Sequence, residues 1–202
     1  MATSALPPWD VQQLPPVPVR RFTVEEYRRL GESGILTEDD RVELLEGWIV
    51  PKMVHNPPHD NAVELVDEAL RAQLPGGWTV RVQSAIHTAD SEPEPDVAVV
   101  SGSARARKDR HPTPDEVALV VEVADASIER DRGSKARLYA RAGVRAYWIV
   151  NLVDRQVEVH GDPTGPASEP AYRQRTVHRP GERISVRIGE TVVTVDPSAL
   201  LP

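Results

Sequence analysis

The chain has no cysteine among its 202 residues. Disulfides and thiolate metal sites are therefore excluded, and the redox compartment is left open. Aromatic residues make up only 4%, too few for a platform on which successive bases stack. No apolar run approaches the ~20 residues that a membrane-spanning helix needs. No stretch has the order of a secretory leader. A cytoplasmic protein without membrane association is the expectation. Excess positive charge is missing too. The formal net charge is −7, and residues 1–68 hold 13 acidic against 6 basic side chains, while residues 69–202 hold 18 of each. A strong nonspecific DNA binder carries a basic footprint. Contact with nucleic acid would need local basic patches, or a metal ion to offset repulsion.

Proline is abundant, with 19 residues, many of them near the N-terminus. Residues 1–19 read as a proline-rich arm. The whole chain is 40% hydrophobic, enough for one core. "RFTVEEYRRLGESG" predicts a helix, with Thr23 as N-cap and Glu26 completing a capping box. "DRVELLEGWIVPKM" predicts a strand or hairpin that turns near Glu46-Gly47. "HDNAVELVDEALRAQLPGG" predicts an amphipathic helix with Val63, Val66, Leu70 and Leu74 on one side. Strands follow at "WTVRVQSAIHT", "PDVAVV" and "EVALVVEVA", then a helix at "SIERDRGSKARLYARAG" that Gly143 closes. "VRAYWIVN" and "RQVEVHG" predict a strand pair, with shorter strands behind them. This order implies an α/β fold: a mixed central β-sheet flanked by helices over residues 20–160, with a small C-terminal β extension over 161–202. The helix between Glu122 and Tyr147 has the place of a crossover to a parallel neighbour.

Two carboxylates stand where burial makes them costly. Asp96 opens the strand "PDVAVV", and Glu122 lies inside "VALVVEVA". Alternation puts Asp96 on the face of Ala98 and Val100, and Glu122 on the face of Val120 and Ala124. On neighbouring strands the two would meet at one end of the sheet and repel, unless a cation sits between them. Oxygen donors without Cys or a His cluster favour Mg²⁺ or Mn²⁺ over zinc, and the Val123 carbonyl could complete the set. Lys135, Leu138, Tyr139 and Ala142 fall at i, i+3, i+4 and i+7, which turns Lys135 toward the sheet. Asp131, one turn earlier, is spaced to pair with it. Plainer readings stand beside these. Asp96 would be a turn residue, Glu122 the partner of an arginine, and Lys135 a stem that covers core.

"SEPEPDVAVV", "LVVEVADASIERDRGSKARLYARAGVRAYWIV" and, more weakly, "VELLEGWIV" with His59 resemble the PD-(D/E)XK nuclease superfamily. Within it, they resemble the restriction endonucleases of the Uma-two family, over roughly residues 20 to 160. The resemblance implies a restriction-endonuclease-like fold, metal ligation by Asp96 and Glu122, and Lys135 as the catalytic lysine. The simple superfamily pattern would place lysine at Ala124; here it is displaced onto the helix. "ADAS" replaces the Leu-Ser-Pro-Ser-like run usual in the family and adds Asp125 near the site. Glu43, His59 and Gln83 match positions the family keeps polar. For His59 the residues alone suggest a solvated side chain or local cap, with no second histidine at ligand spacing. The implied partner is nucleic acid, DNA in the first place, and the implied assembly a homodimer. The loop Arg105, Arg107, Lys108, Arg110 and His111, and the helix residues Arg130, Arg137 and Arg141, are either solvated or phosphate contacts. Two alternatives remain open. One is a catalytically inactive nuclease fold used for binding or assembly, which the acidic balance favours. The other is an unrelated α/β metal enzyme acting on a small phosphate ester.

Overall fold

The structure, a computed structural model, describes residues 18–202. All but the last two residues of the expected N-terminal arm lie outside the described residues. Helix α1 (Val24–Glu32) opens on the expected capping box: the Glu26 N–H donates to Thr23 Oγ1 and the Thr23 N–H to Glu26 Oε2. Strands β1 (Val42–Leu45) and β2 (Trp48–Pro51) form an antiparallel hairpin. Its turn residues Glu46 and Gly47 both have positive φ, 52° and 79°, as a two-residue turn between twisted strands requires. Gly47 meets a second demand, because a Cβ there would lie 2.6 Å from Arg21 Cβ. Helix α2 (Pro57–Arg71) begins before the patterned segment. Asn56 is its N-cap, accepting from the His59 N–H, and two prolines fill the first positions, where a missing N–H is tolerated.

Strands β3 (Trp78–Val82), β4 (Val97–Ser101), β5 (Val117–Ala124), β6 (Ala146–Asn151), β7 (Gln156–Pro163) and β8 (Tyr172–His178) make one six-stranded sheet in that order. β3 is shorter than its sequence pattern because Gln83 turns to φ 44° directly after it. Neighbours are antiparallel except β5 and β6, which are parallel. The expected crossover joins those two. It consists of α3 (Ile128–Arg130), a π-helical turn over Asp131–Lys135, and α4 (Ala136–Ala142), stopped by Gly143 at φ 80°. A further hairpin, β9 (Ile184–Ile188) with β10 (Thr191–Val195), follows the sheet.

Both faces of the central strands are covered. On one face Val97, Val99, Leu119, Val121 and Trp148 join a core built with Val66 and Leu70 of α2 and Ile184 and Ile188 of β9. On the other, Ala98, Val100, Val120, Tyr147 and Ile149 pack with Leu138 and Tyr139 of α4. This double cover explains why all eight residues of β5 are buried and why it reads as a nearly unbroken apolar run. The C-terminal strands share in this packing: β7 runs through residues 160 and 161, β8 extends the sheet, and β9 and β10 supply core. No helix among the described residues is long and apolar enough to cross a membrane.

Candidate metal centre and active site

Val97 pairs with Val121 and Ala98 with Val120, so the next step of the antiparallel register sets Asp96 opposite Glu122. The position of Asp96 has a backbone cause. Pro95 stands just before the start of β4, and the Asp96 carboxylate takes over where strand pairing has not yet begun: its Oδ2 accepts the Val123 N–H of β5 at 2.8 Å. The same oxygen lies 3.3 Å from His59 Nε2. Burial alone would raise the Asp96 pKa. The His59 contact, the Lys135 charge and the Val123 N–H outweigh it and hold Asp96 below the usual range. Asp96 is therefore an anion.

Glu122 is buried in mid-strand. Its Oε1 accepts from Lys135 Nζ and from the Tyr139 hydroxyl, each at 2.8 Å. Burial pushes its pKa up to about 8; Lys135 opposes this, while Asp96 and Asp131 add to it. Burial works against the charge on Lys135, but Glu122, Glu43 and Asp131 overcome it and hold the ammonium charged, well above the ordinary lysine value. Glu43 of β1 closes the cluster. Its Oε2 accepts the Glu94 N–H at 3.1 Å, and its Oε1 lies 3.4 Å from Arg130 and 3.9 Å from Lys135.

The expected pairing of Asp131 with Lys135 does not form as a direct contact. The turn between them is π-helical. Its wider winding takes residues four apart out of superposition, and Lys135 reaches Glu122 instead. Asp131 accepts from Ser127 Oγ at 2.6 Å, and burial raises its pKa.

A cavity of about 280 Å³ opens on this cluster. Asp96, Glu122, Val123, Lys135, Glu43, His59, Gln83 and Asp131 all line it, with Arg41, Lys52, His55, Asp125 and Arg130. The structure thus brings together every site residue expected from sequence. Gln83 is held in the left-handed region, and its N–H donates to the Asp96 carbonyl at 2.9 Å. The donor set fits a hard divalent cation. Among the described residues no hydrogen bond reaches Asp96 Oδ1 or Glu122 Oε2. Glu43, Asp96, Glu122 and Asp131 are four buried carboxylates, against Lys135 as the buried cation within the cavity. An excess of buried negative charge with two free oxygens is what a bound cation relieves.

Sequence reasoning missed three participants. His55 stacks on His59 with ring centroids 4.2 Å apart; the four-residue spacing was visible, but two intervening prolines hide it as a helical pattern. The apolar stripe places Tyr139 in the core, yet its hydroxyl reaches Glu122. The third is Asn56, whose Nδ2 donates to the Asp125 carboxylate at 2.7 Å and ties the cap of α2 to the end of β5. The basic loop does not line the cavity: Arg107 bonds the carbonyls of Ser101 and Gly102, and Arg110 pairs with Glu116. Arg137 and Arg141 pair with Glu46, so Arg130 alone of the three helix arginines lines the cavity.

A sheet that sets two carboxylates side by side, with a lysine delivered by the crossover helix, defines a nuclease-type α/β fold. The profile of the Uma2 family, described as "Putative restriction endonuclease", matches residues 24–195, and the chain belongs to that family. Among solved structures it is similar to a "putative nuclease" from Anabaena variabilis, at 16% identity and a TM-score of 0.68, covering 89% of this chain and 97% of that one. No curated protein matches the chain.

Proposed function

We propose that the chain is a metal-dependent endonuclease that hydrolyses phosphodiester bonds of nucleic acid, DNA in the first place. The observation that carries this reading is the Asp96–Glu122 pair, each carboxylate with one oxygen free of protein hydrogen bonds, in a cavity that also holds a charged Lys135. Asp96 and Glu122, with the Val123 carbonyl, would hold Mg²⁺ or Mn²⁺. Such an ion supplies charge for a phosphate oxygen and a lowered pKa for water. Lys135 is held protonated by its carboxylates, so it serves as a donor to the phosphate or to water and not as the base. Arg41, Lys52 and Arg130 line the same cavity and suit the flanking phosphates. The water oxygen bonds to phosphorus, one ester P–O bond breaks, the attacking water gives up a proton to solvent, and the leaving oxygen takes one up to become an alcohol. A homodimer, one site per strand, is the assembly that double-strand cutting implies.

A second reading has an observation in its favour. Lys135 and Tyr139 both close on Glu122 Oε1, as in a self-sufficient buried network of a binding or assembly module. Cleavage assays decide between the two. Asp96→Asn and Glu122→Gln should each abolish Mg²⁺- or Mn²⁺-dependent cleavage of DNA while circular dichroism stays native. Wild-type protein without cleavage under any divalent ion supports the module.

A further inference from the structure

Beside the oxygen site, at its mouth, lies a nitrogen-bearing cluster with different chemistry. His59 is 8% exposed, and its Nδ1 is buried without a hydrogen-bond partner. The other ring nitrogen, Nε2, lies 3.3 Å from Asp96 Oδ2. A carboxylate on Nε2 orients the ring and directs Nδ1 outward, the arrangement by which outer carboxylates orient metal-binding imidazoles. Nδ1 lies 3.5 Å from Asp60 Oδ1, and His55 Nδ1 lies 3.6 Å from the same oxygen. A carboxylate facing two imidazole nitrogens calls for positive charge between them, and a metal ion fills that place by displacing a proton.

We propose that His55, His59 and Asp60 form a second metal site, for a divalent transition ion of the zinc class, distinct from the oxygen site at Asp96 and Glu122. Their ligand atoms all lie within 4.8 Å of one another. A tetrahedral ion with legs of roughly 2.1 Å sets its ligands about 3.4 Å apart, close to both separations from Asp60. Two imidazoles and one carboxylate leave a fourth position for water or a phosphate oxygen. Imidazole selects zinc, cobalt or nickel over magnesium. The helix end itself offers an anion little: Pro57 and Pro58 have no N–H, and the His59 N–H is taken by Asn56. One contact competes, since Gln83 Nε2 lies 3.1 Å from His55 Nδ1 and gives way when the ion binds. The helix dipole opposes a cation here, and the Asp60 charge offsets it.

Co²⁺ is the probe, because its visible absorption reports low-coordinate nitrogen ligation. The experiment titrates full-length wild type, a His55→Ala/Asp60→Asn double variant and Glu122→Gln with Co²⁺ in excess Mg²⁺. One equivalent of intensely absorbing Co²⁺ is expected in wild type and in Glu122→Gln, and at least a tenfold loss of affinity in the double variant. No such absorption in wild type, or equal binding in the double variant, overturns the site. Binding lost in Glu122→Gln but kept in the double variant assigns the ion to the carboxylates alone and also overturns it. Failure of DNA cleavage with Co²⁺ binding intact would count against the nuclease reading and leave the second site standing.

Discussion

Glu122 is held by two groups that share one of its oxygens, and this shapes how it should behave. Burial raises its pKa to about 8 against the pull of Lys135, so below that pH a growing share of the metal-free protein carries a proton on it. Metal binding needs the carboxylate, so the ion must expel that proton. The apparent Mg²⁺ affinity should climb by about tenfold per pH unit below pH 8 and level off above it. Calorimetry in buffers of different ionisation enthalpy would show proton release near pH 7; a pH-independent affinity would contradict the shift. Lys135 presents the opposite case. It stays charged across the working range, so Lys135→Met should lower kcat by about 10²–10³-fold with little change in KM. A change in KM alone would make it a binding residue. Tyr139 donates to the same Glu122 oxygen and keeps it hydrogen-bonded in Lys135→Met.

The segments that deliver these side chains differ in how far sequence reveals them. The hairpin of β1 and β2, α2 and the run of β5 were legible because turn residues, helical periodicity and a buried apolar run each leave a local signature. The π turn left none. No residue type marks it, and it breaks the expected spacing of Asp131 and Lys135. Asn56 was also missed, since a cap followed by two prolines precedes the apolar pattern. Its side chain caps α2 and holds Asp125, so Asn56→Ala should cost about 1 kcal/mol or more, read as a lowered urea midpoint. A second brace lies on β7. Glu158 is fully buried and accepts from Arg132 beside α3 and from Arg175 of β8. Burial raises its pKa, but these arginines and Asn151 outweigh that and bring it down to about 2. A depressed carboxylate stabilises the fold above its ordinary value near 4.5, and that support is lost as pH falls toward 2. Both arginines are a third to a half exposed, so Glu158→Gln should cost about 1–2 kcal/mol at pH 7. The difference from wild type should shrink toward pH 2 in thermal melts.

At the scale of the whole molecule, the balance of charge sets the terms on which a polyanion is met. With a net charge of −7, affinity for duplex DNA rests on a few cavity cations and on the bound ion. Contacts from Arg41, Lys52 and Arg130 predict a log–log salt slope of about −3, measurable by fluorescence anisotropy, and weak binding when divalent ions are chelated. A slope near −8 would place the DNA on another surface. The candidate carboxylates and lysine were legible before the fold because each violates its local pattern: an acid at a strand mouth, an acid inside a strand, a lysine on an apolar stripe. His55 and Tyr139 conform to theirs and became visible only when the elements were packed. The most direct test of the oxygen site is a calorimetric titration of wild type and Glu122→Gln with Mg²⁺, an ion that imidazole holds poorly. Saturable binding to wild type that disappears in Glu122→Gln is the predicted result. No binding to wild type at millimolar Mg²⁺, or equal binding to both proteins, would contradict the assignment of Asp96 and Glu122 as a metal centre.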